Sequence, residues 1–77
     1  MLTSDQIRAG RALVRWSARE LAEKAGLSLP TIQRLEAAKG IPLTSVQTLL
    51  SVKAALERAG VEFTNGDVPG VRLRPKR

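Results

Sequence analysis

The chain has 77 residues, with 13 lysines and arginines against 7 aspartates and glutamates, a net charge of +6, and neither cysteine nor histidine. A domain this small buries only roughly 60% of the surface its unfolded chain exposes, which leaves no room for a deep substrate cavity with a supporting shell. Disulfides, thiolate ligands, histidine metal sites and histidine general bases are excluded, so catalysis would have to rest on Ser, Thr, Lys or carboxylates.

No stretch approaches the ~20 apolar residues that span a bilayer, and Met1 to Asp5 lacks the basic and then apolar pattern of a secretory leader. A soluble, cytoplasmic protein of one domain is expected. The positive balance favours a polyanionic partner, either nucleic acid or an anionic membrane face, and the arrangement of the charges has to decide between them.

Thr3 followed by Gln6 is a capping-box pattern, with Leu2 and Ile7 placed as a hydrophobic staple, so a first helix starts there and runs to about Val14 or Arg15. Ile7, Gly10 and Val14 share one side at spacings of three and four, with Leu13 on the flank, and Arg8 and Arg15 fall off that stripe. Ser17 stands three before Glu20, a second capping box, opening a helix over about 17–25 that buries Leu21, Ala22 and Ala25 and ends at Gly26. After Leu27 alone, Ser28 can cap a third helix over about 28–37, in whose first turn Pro30 is tolerated because that N–H has no partner within the helix. With Ile32 and Leu35 inward, steps of about 100° per residue send Pro30, Gln33, Arg34 and Ala37 outward.

Beyond Gly40 and Pro42, Thr44 with Gln47 reads as a further capping box, leading into the longest helix, with Val46, Leu49, Val52, Leu56 and Ala59 on one side and a stop at Gly60. Val61–Thr64 and Val71–Arg74 then alternate apolar and polar, separated by Asn65-Gly66 and Pro69-Gly70 turn signals, and read as two short strands. A lone two-stranded ribbon is marginal in water, so these strands need the fourth helix or a second copy of the chain to lean on. The end, with Arg72, Arg74, Lys76 and Arg77 and no acid among them, reads as a frayed basic tail, either solvated or reaching toward phosphates.

Two short helices joined by a tight turn containing glycine, the second presenting polar residues outward, form the arrangement of a helix-turn-helix. Trp16 to Glu36, WSARELAEKAGLSLPTIQRLE, resembles the Cro and phage-repressor family of regulators, also called the xenobiotic-response-element family. The resemblance covers residues 4 to 59 and rests on Ser17 before Glu20-Leu21-Ala22, on Ala25 to Ser28, on Thr31-Ile32 and on Leu35-Glu36. The tail, with GVEF at Gly60–Phe63 and GVRL at Gly70–Leu73, is similar to that of very small single-domain bacterial members, which have no separate ligand-binding domain.

The resemblance implies a mainly α fold of four to five helices, with residues 1–60 as the DNA-binding domain and residues 61–77 as a β tail and possible dimerisation element. It also implies that the third helix enters the major groove while the second lies near the backbone. On chemistry, Arg34 can donate two parallel bonds to guanine, and Gln33, placed more laterally, can pair with adenine. Ser28 and Thr31, at a helix N-terminus, suit a phosphate, and Arg19 and Lys39 extend that footprint to the flanking backbones. Arg11 and Glu36 occupy positions where the family commonly has an ion pair tying the first helix to the end of the third.

Two positions depart from the family pattern. Ala18 stands where the family often has Gln, and Leu29-Pro30 occupies sites that are often polar. Leu29 and Pro30 suit thymine methyl groups or, equally, a protein surface. Glu20 completes a cap and Glu23 is an exposed helical carboxylate, so an enzymatic pair is not expected, nor is any cofactor or metal. Trp16, at the end of the first helix, reads as a core edge rather than a base-stacking platform. The function expected is a sequence-specific double-stranded-DNA-binding transcriptional regulator, a repressor acting as a homodimer on a pseudo-palindrome and bound to the bacterial nucleoid. The rival readings are a protein-binding antiactivator docking through Leu29-Pro30 and an antitoxin that wraps a toxin with its tail. A membrane-surface peptide is disfavoured because the basic residues are spread over several capped helices.

Overall fold

A computed structural model describes residues 2–75, so Lys76 and Arg77 of the basic tail lie outside the described residues. In chain order the elements are α1 (Ser4–Leu13), α2 (Ala18–Ala25), α3 (Leu29–Ala37), α4 (Val46–Arg58), β1 (Val61–Asn65) and β2 (Pro69–Leu73). Each helix starts where a hydroxyl can replace a missing intrahelical acceptor. Thr3 accepts from the Gln6 amide while the Gln6 side chain reaches back to the Thr3 N–H, and Ser17 and Glu20 make the same reciprocal pair. Ser28 accepts from the Thr31 amide, with Pro30 in the first turn.

At α4 the cap is Ser45, not Thr44: its Oγ accepts from the Thr48 amide at 3.1 Å, so Gln47 closes no capping box. The other boundaries are also shorter than the sequence suggests, with α1 stopping at Leu13 and α4 at Arg58. After α1 the chain turns at Arg15, whose φ of 59° is left-handed, with Arg15 N–H donating to the Ala12 carbonyl and Trp16 N–H to that of Arg11. Gly26 does the same for α2 with φ 69°, its N–H donating to the Glu23 carbonyl and that of Leu27 to Ala22.

The buried apolar set includes Ile7, Leu21, Ala22, Ile32, Leu35, Leu49, Val52, Ala55, Leu56 and Val61, drawn from all four helices and β1. Leu2 joins it beside Ile7, and Trp16 packs on its edge with the Lys24 ammonium 5.8 Å from its ring centroid. A Cβ at Gly10 would stand 3.3 Å from Leu56 Cδ1 and 3.5 Å from Val61 Cγ1, so the absence of a side chain lets α1 approach α4 and the strands closely. Val46 and Ala59, expected inward on α4, are exposed, and Ala55 is buried in their stead. At 100° per residue Val46 lies well off the side that holds 49, 52, 55 and 56, whereas Ala59 keeps their phase and is exposed as the C-cap beyond the last turn of α4.

The strands pair with each other, antiparallel, with Val61 opposite Leu73, Phe63 opposite Val71 and Asn65 opposite Pro69. Pro69 and Gly70 therefore open β2 instead of forming a turn, which Pro tolerates at the first position of an edge strand. One face turns Val61, Phe63 and Val71 to the core, and the other carries the Glu62–Arg72 pair at 2.7 Å. Buried Gln6 adds what alternation alone did not reveal: its Nε2 donates to the Thr64 and Gly70 carbonyls at 3.1 and 3.2 Å and to Asn65 Oδ1 at 3.3 Å.

Hydrogen bonds from the Ser17 backbone and hydroxyl hold the fully exposed Glu20 carboxyl below its ordinary pKa. A depressed pKa makes the cap's contribution complete above the unfolded-state value and lost as pH falls through the folded one. An NMR titration should therefore place the Glu20 midpoint below that of the same glutamate in an unfolded peptide. Glu20→Gln, which retains the geometry without the proton equilibrium, should remove that part of the acid-side stability slope.

Candidate nucleic-acid interface

α2 and α3 form the two-helix unit, with Gly26 and Leu27 turning the chain between them and Ser28 capping the second helix. Ile32 and Leu35 anchor α3 in the core, which leaves Pro30, Gln33, Arg34 and Ala37 exposed on its outer side. Along that side, Ser28, Thr31 and Arg34 follow one another at spacings of three. The Ser28 and Thr31 hydroxyls are 2.8 Å apart, and Arg34 Nη2 donates to Thr31 Oγ1 at 3.4 Å. The guanidinium is thereby tied to the first turn of the helix through one of its five N–H donors.

The one carboxylate of α3, Glu36, is turned in the opposite direction. Arg11 Nε and Nη2 donate to its two oxygens, each at 2.8 Å, while Arg11 Nη1 donates to the Trp16 carbonyl at 3.0 Å. The hydrogen bond to Glu36 raises the Arg11 pKa above the ordinary arginine value, against the lowering effect of burial and with a smaller Coulombic contribution from the same carboxylate. Arg8 Nη1 donates to the Glu36 backbone carbonyl at 2.6 Å, and the Ser4 hydroxyl donates to the carbonyls of Ala38 at 2.5 Å and Gly40 at 3.2 Å. The C-terminal end of α3 is thus bound to α1 at several points, and its outer face keeps only the positive charge.

Among the described residues, no carboxylate lies within salt-bridge distance of Arg19, Arg34 or Lys39. Thr31, Arg34 and Lys39 line one shallow groove of about 350 Å³ beside the loop that leads to α4. Ser28 is joined to that group through Thr31, whereas Gln33, Leu29, Pro30 and Arg19 do not line the groove. Arg19 is exposed near the start of α2, and Gln33 is exposed on α3. Leu29 is half-buried, so of the apolar pair at the start of α3 only Pro30 stands clear.

Two polar ties went unread in the sequence. Arg58 Nη2 donates to the Lys24 carbonyl at 3.3 Å, bracing the C-terminus of α2 from α4. Ser45 and Thr48 repeat the hydroxyl pair of Ser28 and Thr31, also at 2.8 Å, and the neighbouring Thr44 had masked that signal. Among the described residues there is no group of three or more acidic, histidine or cysteine side chains placed to hold a metal ion, and no helix is long and apolar enough to cross a membrane.

Removing the Glu36 carboxylate should strand the Arg11 guanidinium in a site where only about a quarter of its side chain is exposed. Glu36→Ala is expected to cost about 2 kcal/mol in urea unfolding, less than the roughly 3–5 kcal/mol for a fully buried pair. Joint replacement with Arg11→Met and Glu36→Leu should recover most of that loss.

Residues 7–52 match the family model described as helix-turn-helix. No curated protein matches the chain. The matched span runs from the core of α1 to the middle of α4 and takes in the whole α2–α3 unit and the Arg11–Glu36 tie. With more than half of its length so matched, the chain belongs to the helix-turn-helix family of the Cro and phage-repressor type, a family of DNA-binding regulators.

Proposed function

We propose that the protein is a sequence-specific transcriptional regulator that binds double-stranded DNA as a homodimer on a pseudo-palindromic operator and represses by occluding a promoter. The observation that carries this reading is the outer side of α3, where Ser28, Thr31 and Arg34 lie in a row while the helix's sole carboxylate is drawn inward by Arg11. A helix with that division of charge suits a groove walled by phosphates.

In the proposed complex α3 lies in the major groove. Arg34 donates two parallel bonds to guanine O6 and N7, Gln33 pairs with adenine, and Pro30, with the exposed part of Leu29, packs on thymine methyl groups. Ser28 and Thr31 set the helix N-terminus against a phosphate, and Arg19 and Lys39 hold the backbone on either side. A protein of this kind acts in the cytoplasm, on the nucleoid. The half-buried state of Leu29 leaves a smaller apolar surface at the start of α3 than a protein-docking antiactivator would use.

Selection from a randomised duplex pool at physiological salt tests the reading directly. Enrichment of a two-fold-related sequence is expected, and an unenriched pool with only weak retention of every duplex overturns it. On the selected site, Arg34→Ala should abolish preference at one base pair, at a cost of about 1–3 kcal/mol. Lys39→Ala should weaken all duplexes alike and reduce the slope of log affinity against log salt by about one. A uniform loss from Arg34→Ala would remove that residue from base readout.

A further inference from the structure

The hairpin has two free edges, and that of β2 is equipped to take a further strand. Arg74 N–H donates to the Gly60 carbonyl at 2.8 Å, which makes residues 60 and 74 a hydrogen-bonded pair at the base of the ladder. In an antiparallel ladder such pairs alternate with pairs whose N–H and C=O groups point outward. Val61 lies opposite Leu73 and Phe63 opposite Val71, so the backbone groups of Leu73 and Val71 point away from β1, off the outer edge of β2. Among the described residues, no other group bonds to them.

Beside this edge α1 supplies an apolar floor. Gln6, Ala9 and Leu13 recur at steps of three and four on the side of α1 that meets the hairpin. Gln6 bonds to the Gly70 carbonyl, and Ala9 lines a groove of about 320 Å³ together with Pro69, Gly70 and Val71. Toward the base of the hairpin Leu73 is 45% exposed, and at the C-terminal end of α1 Leu13 is 37% exposed. A sheet of two strands leaves this flank of α1 open, and one more strand, about 4.8 Å further out, would cover it.

The partner already on β2 indicates the chemistry of the next one. β1 sets Val61, Glu62 and Phe63 against Leu73, Arg72 and Val71, an apolar, acidic, apolar sequence against an apolar, basic, apolar one. The outer edge of β2 presents the same alternation. Arg72 engages Glu62 through Nε at 2.7 Å, which leaves its Nη donors for a second carboxylate. From Val68 to the end the sequence carries Arg72, Arg74, Lys76 and Arg77 and no acid. A second copy of the chain is a poor occupant, because β2 paired with itself about Arg72 sets two arginines opposite one another, and like charges there are destabilising.

We propose that the outer edge of β2 binds, by strand addition, an extended segment of another protein in which apolar and acidic residues alternate. Its backbone bonds to Val71 and Leu73, its apolar side chains cover Ala9 and Leu13, and its carboxylates lie beside Arg72 and Arg74. The inference goes beyond the DNA-binding reading and does not depend on it, since no residue of α3 takes part.

An NMR titration of the full chain with amide hydrogen exchange tests it, the probe being a blocked heptapeptide of alternating valine and glutamate. The same peptide with lysine for glutamate is the control. The glutamate peptide should slow exchange at the Val71 and Leu73 amides and bind about tenfold or more tightly than the lysine peptide, with the difference shrinking as salt rises. Exchanging the outer pair, Glu62→Arg with Arg72→Glu, keeps an ion pair within the hairpin while reversing the charge beside the edge, and should cut the ratio of the two affinities by about tenfold. The peptide comparison uses the wild-type chain and decides the matter whether or not the exchanged variant folds. Equal affinities, absence of binding, protection at Phe63 in place of Val71 and Leu73, or shifts confined to α3 would each overturn the proposal. Duplex selection is read separately, so failure here and failure of the DNA-binding reading are distinguishable.

Discussion

The structure depends on α1 gripping the C-terminal end of α3. Ser4, Arg8 and Arg11 recur at steps of four and three, one stripe of a helix, and all three bond to the segment from Glu36 to Gly40. The last carbonyls of a helix have no intrahelical donors, and α3 is not closed by a glycine: Ala38 beyond it is extended. Donors from α1 occupy that end in place of a glycine cap. Because Arg11 also donates to the Trp16 carbonyl, the same guanidinium fixes the entry to α2. The angle at which α3 is presented is therefore set by a helix that is not part of the α2–α3 unit.

This arrangement separates two kinds of surface that a small domain would otherwise mix. Ile32 and Leu35 consume the inner face of α3, the tie to α1 takes up the Glu36 carbonyl and the helix's only carboxylate, and the outer face is left polar and cationic. α4 divides differently, with a core side and an outer side that is aliphatic at Val46 and Leu50 and charged at Lys53 and Glu57. A core this small contributes little stability per residue, so polar ties of defined geometry carry an unusual share of the orientation.

How far the fold was legible follows from how local each determinant is. Ser17 with Glu20, Gly26, and Ile32 with Leu35 act within one turn of a helix, and their spacing is enough to place α2 and α3. At α4 two adjacent hydroxyls were both eligible, and only the position of the core decides for Ser45 over Thr44, which also carries Val46 outward. Pro69-Gly70 reads as a turn in isolation and becomes the start of a strand once Asn65 lies opposite Pro69. On the candidate interface, the outward side of α3 could be read from helical phase. The half-burial of Leu29 could not, since the neighbours that cover it belong to the assembled fold. The grip of Ser4 on Ala38 and Gly40 is equally nonlocal and leaves no periodic trace.

Gln6 carries a consequence for cooperativity. Its amide is buried on α1, yet its acceptors are Thr64, Asn65 and Gly70, from 58 to 64 residues further along the chain. Closing α1 into the core without the hairpin in place would leave the Nε2 donors without partners, at a cost of about 1–3 kcal/mol. α1 therefore docks only together with the hairpin, and the domain forms as a single cooperative unit rather than helix by helix.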